Sequence, residues 1–200
     1  MKATGEVMSI GRTMEESLLK AMRSLETGVC HIYHKKFDDW SDAQLLEYIK
    51  DATDDRLYAI AQLIRNGIDL VLIYDNTKID MFFLEKFKNI VEFERVVEAA
   101  PMDIEVLREA KRMGFSDKYI GQLWGLSQNE MYRLREKNNV FPVYKMIDTC
   151  ASEFSSYVPY FYSTYEDENE SVVSDKEKIV VLGSGPIRIG QGIEFDFCSV

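Results

Sequence analysis

The densest group of potential metal ligands is Cys30-His31-Ile32-Tyr33-His34, three donors within five residues. Tetrahedral zinc needs a fourth ligand, and the sequence holds no further histidine and no other cysteine before Cys150. Ordinary half-buried residues are the plainer reading, so no metal is assigned. A second candidate is Gly183-Ser-Gly185-Pro-Ile-Arg-Ile-Gly190-Gln-Gly192, placed directly after the β-branched run Lys178-Ile-Val-Val-Leu182 as a phosphate-binding turn follows the first strand of a dinucleotide fold. The spacing is wrong for that chemistry. Arg188 stands where the third glycine belongs, and Pro186 removes a backbone N–H that could have met a phosphate. Only eight residues follow Gly192, too few for a crossover helix and second strand, so the chain is expected to stop inside an α/β domain.

A third candidate runs from Lys118 to Arg135, where a short helix, a glycine turn, the cap Ser127 and a second helix with two arginines resemble a helix-turn-helix over residues 116–137. Residues 108–137 carry seven bases against four acids, but the exposed first turn of the second helix offers Gln128, Asn129 and Glu130. In a chain of net charge −10, a DNA-binding regulator is the second reading and not the first. No Ser/His/Asp, paired-histidine or P-loop constellation is present, and no catalytic, metal-binding or cofactor-binding residue is assigned within the chain.

The elements that must position these residues read as helices. Thr13-Met-Glu-Glu16 and Ser41-Asp-Ala-Gln44 are capping-box patterns that open helices ending near Gly28 and Ala52. A third helix is expected from Asp54 to Asn66, with Gly67 just beyond its end. The run Leu70-Val-Leu-Ile-Tyr74 fits a buried strand or a helical turn, and the helical surroundings favour helix. The longest element extends from Thr77 and Asp80 to about Ala99; Phe82, Phe83, Phe87 and Phe93 recur along it as expected core. Three shorter helices follow, near 103–113, 117–124 and 128–137. Residues 140–165 then read as an extended aromatic segment crossing apolar surface.

Composition limits the function. Two hundred residues, at about 150 per domain, make one to two domains, and 46% apolar residues can fill a core. No apolar run approaches the roughly 18 residues that cross a bilayer, and Met1–Glu6 lacks a signal-peptide stretch, so a cytoplasmic protein is expected. Cys30, Cys150 and Cys198 form no Cys-x-x-Cys pair and read as free thiols. The negative charge is local: residues 38–55 hold seven acids and one base, and residues 166–177 six acids and one base. A nonspecific nucleic-acid or membrane role for the whole surface is thereby disfavoured.

Three stretches together carry a family resemblance: Met1-Lys-Ala-Thr-Gly-Glu-Val-Met-Ser-Ile-Gly-Arg12; Pro142 to Phe154 with Tyr162-Ser-Thr-Tyr-Glu166; and Lys178 to Phe197. In order and spacing they resemble an internal piece of the carbamoyl phosphate synthetase large subunit. The resemblance implies that 1–28 is the tail of the first, carboxyphosphate half, 29–165 a helical oligomerisation domain with its crossing segment, 166–177 an acidic linker, and 178–200 the truncated start of the second half. The implied fold is mostly α: a multi-helix domain with a C-terminal strand and Gly-rich turn from an α/β (pre-ATP-grasp) domain. The parent is implied to be a ligase making carbamoyl phosphate from bicarbonate, glutamine-derived ammonia and two ATP, for arginine and pyrimidine biosynthesis. Its ATP and Mg or Mn are implied to bind outside this chain, which is expected to be noncatalytic. Gly192 and Glu194 fall on positions that line the family's carbamate channel. Implied partners are further copies, the remaining large-subunit domains and the glutaminase small subunit, with neither nucleic acid nor membrane. Leu45, Leu46 and Ile49, the short apolar face of the second helix, are the expected self-association residues.

Overall fold

The computed structural model describes residues 7–25, 27–148, 150, 153–154 and 160–180. Along them run α1 (Met14–Ser24), a 3-10 turn (Lys35–Phe37), α2 (Asp42–Tyr48), α3 (Arg56–Arg65), α4 (Leu70–Thr77), α5 (Met81–Ala99), α6 (Ile104–Arg112), α7 (Asp117–Trp124), α8 (Gln128–Lys137), β1 (Val143–Met146) and β2 (Phe161–Thr164). Most helices begin at a short polar side chain that catches the backbone N–H groups orphaned at a helix start. Ser41 and Ser127 close full capping boxes with Gln44 and Glu130. Asp69, Asp80, Asp103 and Ser116 cap α4, α5, α6 and α7. Thr13 caps α1 through Glu16 N, but the Glu16 carboxylate turns to the N–H of Arg12 rather than closing a box on Thr13. Asp55, ahead of α3, caps nothing: its carboxylate is taken by Lys36, Tyr48 and Thr53.

The 19-residue α5 is the axis of the domain, about 28 Å long at 1.5 Å per residue. Its buried stripe runs through Leu84, Phe87, Ile90, Val91 and Val97. Leu19 and Met22 of α1, Ile60 and Leu63 of α3, Leu107 of α6, Ile120 of α7 and Met131 of α8 join the same continuous core. Two tight approaches explain two glycines. The turn from α6 to α7 passes over α1 so closely that a Cβ on Gly114, whose φ is +91°, would lie 2.9 Å from Glu16 Cα. On α7, a Cβ on Gly121 would lie 2.5 Å from Leu126 O, so only glycine lets α8 fold back against α7.

The described residues of the aromatic segment after α8 form a ribbon not expected from the sequence. β1 and β2 pair antiparallel, Val143 opposite Thr164 and Met146 opposite Phe161. Lys145 and Thr164 point inward and are buried, while Tyr144 and Phe161 face out. The acidic stretch is likewise not a free linker in its first half. Asn169 Oδ1 and Glu170 Oε2 accept the N–H groups of Tyr144 and Met146, and Glu170 N donates to Tyr144 O at 2.9 Å. These contacts cover the open edge of β1. Glu166 pairs with Arg12, Asp167 with Arg112, and Glu168 and Glu170 with Lys145. The expected strand at 178–182 is not formed over its described part: residues 178–180 have no strand partner among the described residues, and Ile179 is 93% exposed. Its remainder, the Gly-rich turn, Gly192, Glu194 and Cys198 lie outside the described residues.

Candidate self-association surface

A helix advances 100° per residue, so five consecutive apolar residues cannot all face one side. Leu70-Val-Leu-Ile-Tyr74 in α4 meets that constraint by burying Ile73 alone. Val71 is left 57% exposed, with Leu72 and Tyr74 also outside. The chain then reverses through Lys78, whose φ of 55° ends α4 in a left-handed residue, and α5 begins with two more outward rings. Phe82 is 52% exposed and Phe83 lies edge-on to it at 5.3 Å. This corrects the expectation that both phenylalanines are core: the buried stripe of α5 passes through Leu84 and Phe87, and Phe82 and Phe83 stand to its side. The sequence signal that could have found this surface was the unbroken apolar run of α4.

The expected face on α2 is corrected as well. Leu45 and Ile49 are completely buried in the chain's own core, and Leu46 is half-buried against it. Packing within the chain closes over Leu45 and Ile49, which have no surface left to share, and Leu46 alone of the three keeps part of its surface outside.

Two charged groups of the helix pair α7–α8, Asp117 and Arg135, are drawn inward. Asp117 Oδ2 accepts from Arg135 Nε and Nη2 at 2.9 and 2.7 Å, and Asp117 Oδ1 from Lys111 Nζ at 2.9 Å. Lys111 also donates to Phe115 O, and Arg135 to Val140 O. Both cations are buried. Burial pushes the Lys111 ammonium down to about 8, against the opposing pull of Asp117. For Asp117, burial works upward but the charge of Lys111 and the hydrogen bond of Arg135 outweigh it, holding its carboxyl below the usual range. Arg108 turns to Asn138 O, and Arg112 to Glu109 and Asp167. Of the bases that prompted the helix-turn-helix reading, Lys111 and Arg135 are thereby spent inward, while Lys118, Arg133 and Lys137 stay exposed.

His31, from the cysteine–histidine cluster, is 1% exposed and stacks on Tyr119 with centroids 3.7 Å apart. Its Nε2 lies 2.9 Å from Glu94 Oε1, and Arg65 Nη2 and Nε clamp the same carboxylate at 2.7 and 2.8 Å. Burial lowers the His31 pKa below its ordinary 6.5. The neutral ring donates Nε2–H to the acceptor-only carboxylate and leaves Nδ1 without a partner among the described residues. His34 instead accepts the Lys36 N–H at the 3-10 turn, so the two histidines do not converge.

Helices around one core, with apolar side chains turned outward on α4 and the start of α5, define a mostly helical domain with an exposed apolar patch. No helix among the described residues is long and apolar enough to cross a membrane. Residues 6–139 match the family described as carbamoyl-phosphate synthetase large chain, oligomerisation domain, and residues 175–200 match the carbamoyl phosphate synthase preATP-grasp domain. The first match takes in α1 to α8 and most of the chain. The chain belongs to the carbamoyl-phosphate synthetase large-chain family, of which it carries the oligomerisation domain and a piece of the preATP-grasp domain.

Proposed function

We propose that this chain is the self-association and linker region of a carbamoyl phosphate synthetase large subunit, with α4 and the start of α5 as the contact between copies. The observation that carries the reading is position. Val71, Leu72, Tyr74, Phe82 and Phe83 are exposed and lie within the residues matching an oligomerisation domain. Within that match Tyr33 and Tyr132 are exposed singly, and a second outward aromatic group, Tyr144, Tyr160 and Phe161 around the β-ribbon, lies beyond its end at residue 139. An isologous contact would set the same face against itself.

The parent is an ATP-dependent ligase making carbamoyl phosphate in the cytoplasm from bicarbonate, glutamine-derived ammonia and two ATP, with Mg or Mn. This chain supplies assembly and connection and does not itself turn over. The rest of the large subunit and a glutaminase small subunit are its further partners, and Gly192 and Glu194 belong to the carbamate channel of the whole enzyme.

Solution mass by light scattering tests the reading. The 200-residue chain is expected to be at least a dimer. Val71→Asp with Phe82→Glu is expected to weaken association by about 30-fold for each side chain worth about 2 kcal/mol, and to yield monomer at micromolar concentration. The melting temperature of that monomer should stay within a few degrees, because both side chains are exposed in the protomer. A wild-type chain that remains monomeric at all concentrations refutes the proposal, as does robust bicarbonate-dependent ATP hydrolysis by the chain alone for its noncatalytic part.

A further inference from the structure

An open cleft of about 590 Å³ lies between α1, the turn joining α6 to α7 and the end of β2, away from the α4–α5 face. Lys20, Arg23, Lys111 and Lys118 line it against two carboxylates, Glu16 and Asp117. Both carboxylates are already engaged. Glu16 holds Lys20 at 2.7 Å and the Arg12 N–H at 2.7 Å. Asp117 holds Lys111 on one oxygen and Arg135 on the other. Lys20 is satisfied further by the carbonyls of Ile10 and Ser163.

Two cations are left over among the described residues, the exposed Lys118 and the half-buried Arg23, and Arg23 is the one drawn into the wall. It donates Nη1 to Gly114 O at 2.6 Å and forms no ion pair among the described residues. A guanidinium offers five N–H donors in a fixed fork that suits two oxygens of one oxyanion. Partial burial lowers the Arg23 pKa, and Arg23 in turn is among the charges that depress Lys111. Desolvated positive charge without a counter-charge is costly to the empty fold, and an entering anion relieves that cost. The titratable and charged groups that bear on Arg23 are Cys30, Glu16, Tyr165 and Asp117; those on Lys111 are Asp117, Arg135, Arg23 and the ring of Tyr165, 5.0 Å from its Nζ.

We propose that this cleft binds a small oxyanion, the phosphate or carboxylate group of a soluble ligand, with the free edge of the Arg23 guanidinium as its main partner and Lys118 and Lys111 beside it. The ligand enters from solvent, and its negative charge completes a cleft wall that the described residues leave cationic.

The test titrates the full chain with inorganic phosphate, and separately with acetate, at ionic strength held constant with sodium chloride. At about ten times its dissociation constant, phosphate is expected to raise the melting temperature by about 3 °C. Arg23→Gln, which keeps a donor for Gly114 O, is expected to weaken binding at least about tenfold, and Lys118→Ala a few-fold. As a readout independent of folding, the Lys111 ammonium followed by NMR should titrate above 8 in saturating phosphate. Saturation by acetate but not phosphate supports the cleft and assigns a carboxylate ligand. No saturable response to either anion, equal affinity in Arg23→Gln, or the same shift from chloride alone overturns the proposal.

Discussion

The buried cluster of His31, Arg65 and Glu94 and the buried cluster of Lys111, Asp117 and Arg135 use the same kinds of group to opposite effect. In the first, one carboxylate meets one guanidinium and one neutral ring, so the charges cancel. It ties α3 and α5 to the segment after α1, Arg65 also donates to Ile32 O, and none of its three residues lines the cleft. In the second, one carboxylate must serve two cations, and Arg23 and Lys118 add more positive charge on the side that opens to solvent. Charge balance thus separates a brace from a wall that wants a ligand. Burial alone does not, since Lys111 and Glu94 are each 7% exposed.

Removing the single anion of the closed cluster is the largest test of this difference. Glu94→Ala leaves the Arg65 guanidinium uncompensated and His31 Nε2 unpartnered, and should cost about 3–5 kcal/mol in urea unfolding. That cost should be the same at pH 7 and pH 9, because arginine does not deprotonate in this range. Asp117→Asn should cost a comparable amount at pH 7 but less at pH 9, since Lys111 can relieve the open cluster by losing its proton. Equal pH behaviour in the two variants would erase the distinction.

The wild-type chain should show the same asymmetry on the alkaline side, with a smaller effect. The folded pKa of Lys111 is about 8, below the 10.5 of an ordinary lysine. Between those values the unfolded chain holds the extra proton, so stability rises with pH from about 8 towards 10.5, by an amount on the order of 2–3 kcal/mol. Tyr119 and Tyr165 act oppositely above pH 10: burial raises their pKa values, the unfolded chain ionises first, and stability falls. Unfolding free energies measured from pH 7 to 10 for wild type and Lys111→Met should diverge, with the variant flat. A flat wild-type curve would mean that Lys111 is hydrated enough to titrate normally.

The sequence discloses the helices better than the charges. Ser41 with Gln44 and Ser127 with Glu130 are caps whose partners lie three residues away, and local pattern suffices to find them. Helix formation over Leu70–Thr77 and the end of α3 before Gly67 are equally local. His31 and Glu94 are 63 residues apart and Arg65 and Glu94 29, so no window of sequence shows that they meet. The assignment of Leu45 and Ile49 to a partner failed for a related reason. An amphipathic stripe records that a face is buried, and α3 of the same chain was the element that buried it. Pairing of β1 with β2 spans a similar gap, and the aromatic residues between them mask the alternation that marks a strand. Family membership was legible in the three motif stretches that flank the helices, and the comparisons place it on the helical middle as well.

The smallest expected effect tests the closed cluster from the acid side. Burial holds His31 below pKa 6.5 in the fold, so on acidification the unfolded chain binds the proton first. Stability contributed by the neutral ring is complete above about pH 6.5 and drains as pH falls, with a slope of at most about 1.4 kcal/mol per pH unit. Glu94 extends the loss below about pH 4.5: burial favours its protonated form, but the hydrogen bonds from Arg65 and His31 prevail and keep its folded pKa lower than 4.5. His31→Phe, which preserves a ring against Tyr119, should flatten the limb between pH 6.5 and 5 and leave the loss below 4.5 in place. An unchanged limb would mean that His31 is already cationic in the fold. Two cations would then face one carboxylate in both clusters, and excess charge could no longer explain why only one of them opens onto a cleft.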